Sequence, residues 1–283
     1  MGDIRESAPR PSLSTEINTS TRVIHAELNK LITARIPLAL PPHAKDTSLY
    51  ALGLLVFAQI YIEIEEALDE LAQEHPLERR DHSRAVVRWL IGLRSHGLAR
   101  ESRLQYDLRS LGAKHPPARA QVALGAISDN IDDCLRHKPH VLIAYLRVMH
   151  MAIFSGGRHI RKELSRAGPG FWPSPKSFAS MGSFSDLSRP GYTFLSFDGD
   201  DDGESIKAEF KTRLAEGDAL LSVDERREIV EAADELFRLC VDIVTALDKE
   251  VRERAEVKWY WLQGIGWLGA VIVGIYLARS LWR

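Results

Sequence analysis

The C-terminal end of the chain carries an uncharged apolar stretch that strongly limits how the chain folds. Residues Trp261 to Leu277 contain no charged side chain, and with its aromatic flanks the stretch covers residues 259–278. At ~1.5 Å of rise per residue, a helix of this length spans about 30 Å, the thickness of the hydrocarbon core of a bilayer. Tryptophan and tyrosine at both ends are typical of the two membrane–water interfaces. The pattern favours a transmembrane tail anchor over the alternative, a buried C-terminal helix.

This prediction sets the expected placement of the rest of the protein. Only five residues follow Ala278, so we expect the bulk of the chain in the cytosol, membrane lipid as a partner, and the endoplasmic reticulum as the membrane. Residues 251–258 form a basic juxtamembrane segment. Small residues recur at every fourth position of the anchor, at Gly266, Ala270, Gly274 and Ala278. Such a face lets two helices approach closely and predicts self-association, although small residues are also common in membrane spans for other reasons.

The charge balance and the cysteines exclude several classes of protein. The 37 basic and 39 acidic residues give a net charge of −2, so no strong positive field favours a nucleic acid as a partner. The two cysteines, Cys134 and Cys240, lie far apart and neither belongs to a CxxC pair. A disulfide framework or a structural zinc site is therefore not expected. No P-loop, dinucleotide-binding, HExxH or GxSxG motif occurs.

Before the anchor, apolar residues recur with helical spacing and without strand alternation. The sequence therefore predicts an all-α domain over residues 13–250, preceded by a flexible leader over residues 1–12. The predicted helices cover residues 14–35, 47–73, 83–94, 99–111, 116–136, 139–165, 204–216 and 223–256. Ser14 is the predicted N-cap of the first helix, and Ser222 with Glu225 is a predicted capping box before the last. Residues 168–191, rich in Gly, Pro and Ser, are predicted to form a long loop.

The first predicted helix carries a polar face. Asn18, Arg22, His25 and Asn29 share this face, which adjoins the apolar stripe of the helix. A histidine one turn from a cation is suited to an iron porphyrin, because the imidazole would ligate the metal and Arg22 would meet a propionate. On these residues alone, a half-buried histidine at the edge of the core is the better interpretation.

A pair of glycines interrupts the helix predicted over residues 139–165. Ser155, Gly156 and Gly157 stand in its second half, with helical pattern on both sides. Each glycine inside a helix costs about 1 kcal/mol relative to alanine. One function for the pair would be a kink at which the backbone approaches a flat ligand closely, because glycine has no Cβ. The alternative is a turn that joins two separate helices.

An acidic loop precedes a basic helix. Residues 198–203 together with Glu209 fit the calcium-loop pattern D-x-D-x-D-G-x5-E. The preceding residues, which include Pro190 and Gly191, are unsuited to the entering helix of an EF-hand, so we expect an acidic loop rather than a calcium site. Lys207 and Lys211 lie one turn apart on the following helix, and by themselves they indicate a solvated face.

These features occur in an order that resembles the heme oxygenase family, in its tail-anchored eukaryotic form. Residues 13–25 are similar to the family's proximal helix, and His25 stands where the family has its iron ligand. Residues 48–71, with the segment YIEIEE that begins at Tyr61, are similar to its second core helix. Phe154 to Arg158 resembles the Leu-Ser-Gly-Gly-Gln of its distal helix. The resemblance covers roughly residues 13–250.

The resemblance implies an all-α fold that holds heme between two helices. With O2 and electrons from NADPH–cytochrome P450 reductase, the family opens heme to biliverdin, carbon monoxide and ferrous iron. His25 would be the metal ligand. The residues implied at the edge of the heme are Arg22, Lys207, Lys211 and Arg147. The residues implied on the distal, catalytic side are Ala152, Ile153, Ser155, Gly156 and Gly157.

The sequence departs from the family pattern on the distal side. Ala152 and Ile153 stand where the family has Gly-Asp, and that aspartate orders the waters that deliver protons during oxygen activation. Isoleucine neither holds water nor relays a proton. Arg147 replaces a tyrosine, and Asn18 replaces a lysine. The alternatives are therefore heme binding, heme sensing or peroxidase-like chemistry without ring opening, and a membrane-tethered helical scaffold without heme.

Overall fold

The computed structural model describes residues 10–73, 81–113, 115–173 and 191–281, with side chains as far as residue 253 in the last helix. Within these ranges the chain is helical and contains no β-strand, so the all-α fold is confirmed there. The α-helices are α1 (Leu13–Ser20), α2 (Arg22–Arg35), α3 (Ser48–Gln73), α4 (Asp81–Gly92), α5 (Glu101–Ser110), α6 (Gln121–His137), α7 (Leu142–Ala152), α8 (Arg158–Ser165), α9 (Glu204–Glu216) and α10 (Val223–Leu281). Short 3-10 turns cover Pro37–Ala39, Pro139–Val141, Thr193–Leu195 and Asp218–Leu220, and a π-helical turn covers Ile153–Gly157.

The first predicted helix is divided at Thr21. The Thr21 hydroxyl donates a hydrogen bond to the Ile17 carbonyl oxygen at 2.8 Å, and this kind of bond bends a helix. The single helix predicted over residues 14–35 is therefore two helices, α1 and α2. The predicted N-cap at Ser14 is also wrong, because the Ser12 hydroxyl oxygen accepts the hydrogen bond from the Thr15 amide at the start of α1.

The last helix, α10, is the central element of the core. It packs against α1, α2, α6 and α7, while α3 packs against α5 and α6. Apolar residues that repeat every seven positions along α10, such as Ile229, Leu236 and Ile243, are fully buried. The predicted capping box is confirmed, since the Ser222 amide donates to the Glu225 carboxylate at 2.8 Å and the Glu225 amide donates to the Ser222 hydroxyl at 3.3 Å.

A short segment, residues 191–197, is fastened to the region of α5 by two buried ionic side chains. Asp107 of α5 is fully buried. Its carboxylate accepts hydrogen bonds at 2.6–2.9 Å from the Gly191 amide, the Thr193 hydroxyl and the Phe194 amide. Arg100, immediately before α5, is also fully buried and donates to two carbonyl oxygens of the same segment. These contacts hold a segment that has little regular structure of its own.

The predicted tail anchor lies outside the residues whose side chains are described. α10 continues as one helix to Leu281, but from residue 254 onward only its backbone is described. Among the described residues, no helix is both long and apolar enough to cross a membrane. The small-residue face and most of the basic juxtamembrane segment also lie outside the described side chains. So do residues 1–9 of the leader and residues 174–190 of the predicted loop.

Replacing Gly217 with alanine is expected to destabilise the protein by about 2 kcal/mol, the usual cost of overpacking a core. A Cβ at Gly217 would lie 1.8 Å from Cε2 of Trp89, whose indole N–H is held by the Arg213 carbonyl oxygen at 2.7 Å. Gly125 in α6 is the matched control, because a Cβ there meets no atom within 4 Å. Gly125→Ala should therefore stabilise the protein by roughly 0.5–1 kcal/mol. Urea unfolding measures the free energy of unfolding of both variants. An equal change in that free energy for Gly217→Ala and Gly125→Ala would contradict the packing argument.

Candidate functional site

A cavity of 620 Å³ is lined by both of the helical segments that the sequence singled out. Its wall is formed by α2, α3, α7, the π-helical turn and α10, together with residues of the 191–197 segment. The wall is almost entirely apolar. Its buried part includes Leu28, Leu54, Tyr61, Val148, Met149, Ile153, Gly157, Leu195, Cys240 and Val244. The predicted cleft between the proximal and distal segments is therefore present.

His25 does not itself line this cavity, but its ring lies against a residue that does. It is exposed, and it shares a helical stripe with Leu28 and Ile32, which line the wall three and seven residues further on. Its imidazole contacts Phe237 of α10, with ring centroids 5.3 Å apart and ring planes at 45°. Phe237 itself lines the cavity. His25 is thus exposed beside a wall residue of the cavity, rather than half-buried at the edge of the core.

The glycine pair forms a π-helical turn in the wall of the cavity. Residues Ile153–Gly157 make one wide turn between α7 and α8, so the predicted interruption is continuous helix rather than a connecting loop. Turns of this kind are frequent at functional sites. A Cβ on Gly156 would meet no atom within 4 Å, whereas a Cβ on Gly157 would lie 3.2 Å from Cδ2 of Leu195. Gly156 therefore borders open space, and Gly157 allows close packing.

The other predicted distal residues differ in exposure. Ala152 lines the cavity and is exposed, and the Ser155 hydroxyl is on the exposed side of the π-helical turn. Ile153 is only 2% exposed and lines the cavity. The structure therefore places an aliphatic side chain in the cavity wall, at the position where the resemblance implies a carboxylate.

The polar groups of the cavity wall are hydrogen-bonded or uncharged. The Tyr61 hydroxyl donates to the Met149 carbonyl oxygen at 2.8 Å, and burial raises the pKa of Tyr61 well above its ordinary value. Burial also raises the pKa of the Cys240 thiol to about 12, so the thiol stays protonated at neutral pH. Among the described residues, the carboxylate of the wall is that of Asp248, which accepts a hydrogen bond from Arg35 at 2.7 Å.

Arg147 of α7 connects α7 with α1. Its Nη2 donates to the side-chain oxygen of Asn18 at 2.6 Å. Its Nε is buried and has no hydrogen-bond partner within the described part of the chain. Burial lowers the pKa of the guanidinium group, which still stays charged at neutral pH. A buried cationic N–H without a partner is suited to a carboxylate ligand.

Arg147 does not line the cavity, and the other predicted basic residues also lie outside its wall. Arg22 is exposed on α2, one turn before His25. Lys207 is on α9 and pairs with Glu204 at 3.3 Å. Lys211 is exposed one turn later on the same helix. The structure thus brings Arg22 close to His25 along α2, but it shows no contact of the two lysines with the cavity.

Carboxylates of the acidic loop before α9 bind arginine side chains and backbone amides. Asp198 pairs with Arg103 at 2.7 Å, and Asp202 is hydrogen-bonded to Arg161. The carboxylate of Asp201 accepts backbone amides at the start of α9. Among the residues that the structure describes, no group of three or more His, Cys, Asp or Glu side chains could hold a metal ion.

Two parts of the cavity were not predicted from the sequence. Phe194 and Leu195 line the wall from a 3-10 turn that is too short to show apolar periodicity. Arg35 and Asp248 line the end away from His25, although they are 213 positions apart in the chain. Charged residues are common on long helices, so no sequence pattern marks this pair.

The chain matches known proteins over most of its length. Residues 11–246 match the model of the Heme oxygenase family. The chain is 23% identical over 248 residues to the "Heme-binding protein HMX1" of Saccharomyces cerevisiae, a match that covers 83% of this chain and 75% of that protein.

Solved structures of the same fold are also similar. Heme oxygenase 2 from Chlamydomonas reinhardtii, solved without heme, has a TM-score of 0.64 at 20% identity over 84% of this chain and 98% of that chain. Heme oxygenase-1 from the cyanobacterium Synechocystis sp. PCC6803, solved in complex with heme, has a TM-score of 0.60 at 17% identity over 88% of this chain and 98% of that chain. At these identities the likeness shows the fold alone. The family model covers far more than half of the sequence, and the protein therefore belongs to the heme oxygenase family.

Proposed function

We propose that the protein binds heme in the cavity between α2 and α7 and opens its ring to biliverdin, carbon monoxide and ferrous iron. The observation that carries the proposal is the apolar cavity of 620 Å³, with the exposed His25 against Phe237 of its wall and a glycine-containing turn in the wall itself. Family membership supports it. So do the heme-binding yeast relative and the cyanobacterial enzyme solved in complex with heme.

The residues present fit a heme. Heme is a flat apolar macrocycle with two carboxylates and an iron that takes an imidazole ligand. The apolar wall suits the macrocycle, and His25 would hold the iron. Outside the cavity wall, the buried and unpartnered Nε of Arg147 is a further group that suits a propionate. We propose Arg22, Lys207 and Lys211 as further partners of the propionates, on the resemblance to the family alone.

The chain's own residues prepare the site for this chemistry. Bound heme would supply the iron at which O2 is activated, with electrons from a reductase. Gly157 lines the cavity, and a Cβ there would lie 3.2 Å from Cδ2 of Leu195, so a larger residue at this position would crowd the cavity wall. Ile153 makes the wall at its position aliphatic and buried. Tyr61 keeps its proton on Oη, in the hydrogen bond to the Met149 carbonyl oxygen.

The proposed partners follow from the resemblance and from the C-terminal sequence. NADPH–cytochrome P450 reductase would supply the electrons. The tail anchor over residues 259–278 would hold the enzyme in the endoplasmic reticulum membrane beside that reductase. Sharing one membrane raises the effective concentration of the two proteins.

A second candidate function is heme binding without ring opening, and one residue favours it. Ile153 is buried in the distal wall, where it provides neither a hydrogen-bond acceptor nor a proton. Positioned acid–base groups contribute about 10²–10⁴-fold to reactions that need proton transfer. Loss of such a group would leave heme bound but slowly degraded.

Replacing Ile153 with aspartate is therefore expected to raise the rate of bilin formation at least roughly tenfold. The measurement is the bilin absorbance after hemin, reductase and NADPH are added to the purified protein. Ile160→Asp is the matched control, because Ile160 lines the same cavity beyond the π-helical turn. Ile153→Asn separates the effect of a polar side chain from that of a carboxylate.

Each outcome of this experiment decides between the candidates. If the wild type forms bilin as fast as Ile153→Asp does, no carboxylate is needed at this position. That result would support the first candidate function, heme binding with ring opening. A Soret band without bilin in the wild type, with bilin in Ile153→Asp alone, would support the second function. The absence of a Soret band from the wild type with added hemin would rule out both.

A further inference from the structure

The cavity extends far beyond His25 along α10. Its wall follows α10 from Phe237 to Arg252, which is about 22 Å at ~1.5 Å per residue. α2 runs parallel to this part of α10, because His25 contacts Phe237 and Arg35 pairs with Asp248. The cavity therefore has one end beside His25 and a second end near Arg252.

The second end is both apolar and basic at the protein surface. We call it the basic mouth, and it is formed by Arg35, Leu38, Asp248, Val251 and Arg252, all of which line the cavity. Leu38 is 51% exposed, although it is a large aliphatic side chain. Arg35 is neutralised by Asp248, whereas Arg252 is exposed and donates to the Asp248 backbone carbonyl oxygen at 3.2 Å. The charged residues of the mouth therefore leave one net positive charge.

The basic mouth lies close to the point at which the chain is predicted to enter the membrane. The predicted span begins at Trp259, seven residues after Arg252 on the same continuous helix, or about 10 Å along its axis. An exposed leucine beside arginines suits a lipid surface, because the leucine inserts at the headgroup boundary and the cations attract anionic lipids. The position of the basic mouth and its composition therefore both favour contact with a membrane surface.

We infer that hemin enters the site from the lipid phase, through the basic mouth. This inference rests on the proposed function and on the predicted anchor. Hemin is largely apolar, and the wall of the cavity is apolar from Leu38 to Gly157, so the macrocycle would move from lipid to site without crossing water. Arg252 would attract its carboxylates at the mouth. The competing route is from water, at the end beside His25 and the exposed Ala152.

The test uses the full chain reconstituted in vesicles of phosphatidylcholine with a minor share of phosphatidylserine. Hemin is supplied either within the same vesicles or in water as its albumin complex, and the rise of the Soret band gives the transfer rate. Leu38→Glu and Arg252→Glu are expected to slow transfer from the vesicles by at least roughly fivefold each. Transfer from albumin reports any effect of the substitution on the cavity itself, so the ratio of the vesicle rate to the albumin rate should also fall at least roughly fivefold relative to the wild type. Val122→Glu is the matched control, since Val122 is 81% exposed on α6, away from the cavity.

The outcomes separate this inference from the proposed function. If Leu38→Glu and Val122→Glu take up vesicle-borne hemin at the same rate, the inference is wrong, while binding from albumin keeps the proposed function intact. Failure of the full chain to float with vesicles would also overturn it. If hemin binds from neither source, the proposed function itself fails.

Discussion

Replacing His25 with alanine is expected to weaken hemin binding on the order of 100-fold and to shift the Soret band. The iron would lose its protein ligand, and loss even of the groups that support a metal ligand commonly costs about 10–100-fold in affinity. The fold should be unaffected, because His25 is exposed and such substitutions change the free energy of unfolding by less than about 0.5 kcal/mol. Titration of the purified chain with hemin, followed by absorbance, measures both changes.

Two controls make this result specific. Added imidazole should restore the wild-type spectrum of His25→Ala, since it would occupy the space that the side chain leaves. His159→Ala should bind hemin like the wild type, although His159 is also exposed and lies on α8, just after the glycine turn. Identical spectra of His25→Ala and the wild type would show that the iron has another ligand, and the assignment of His25 would fall.

Replacing Asp107 with alanine is expected to destabilise the protein by roughly 3–5 kcal/mol. The substitution leaves buried donors of the 191–197 segment without an acceptor, and each unsatisfied group costs about 1–3 kcal/mol. The segment also supplies Phe194 and Leu195 to the cavity wall, so hemin affinity should fall as well. Urea unfolding at neutral pH measures the loss of stability.

The hydrogen bonds of Asp107 can be tested one at a time. Thr193→Val removes one donor, so the double variant with Asp107→Ala should cost less than the sum of the two single variants. Asp129→Ala is the control, because Asp129 is an exposed aspartate on α6. Additive effects of the two substitutions at Asp107 and Thr193 would contradict the proposed coupling.

Asp107 is also expected to make the stability of the protein depend on pH. Burial raises its pKa from 3.8 to about 6 in the folded state, whereas the unfolded chain keeps the ordinary value. Between these values the folded protein holds a proton that the unfolded chain has released, so stability falls as the pH rises from about 4 to about 6. The difference in unfolding free energy between the wild type and Asp107→Ala should therefore grow as the pH is lowered. A difference that grows toward neutral pH would contradict the raised pKa.

The helices were largely predictable because their determinants are local. Apolar spacing along α3, α9 and α10 reflects burial of one face, and this spacing is visible in the residues themselves. The capping box at Ser222 is equally local, since both of its partners lie within one turn. The division at Thr21 was not predicted, because a threonine hydroxyl inside a helix either points to solvent or bonds to the carbonyl oxygen four residues earlier. In the structure it bonds to the Ile17 carbonyl oxygen.

The position of the glycine turn was predictable, but its form was not. Gly156 and Gly157 mark an interruption in any helix, because glycine is a poor helix former. Whether the backbone then breaks, bends or widens depends on what packs around it. Here Leu195, from a segment far along the chain, occupies the space beside Gly157 that a Cβ would need, and the helix continues as a π turn.

The residues alone were enough to establish an all-helical chain with a histidine on one helix and a glycine pair on another, because helix formation and its interruption depend on neighbours within a few positions. The existence of a cavity between those helices, its second end at Arg35 and Asp248, and the burial of Ile153 in its wall came from the packed structure. Each of these features joins residues from distant parts of the chain, and a cavity is the space that such packing leaves unfilled.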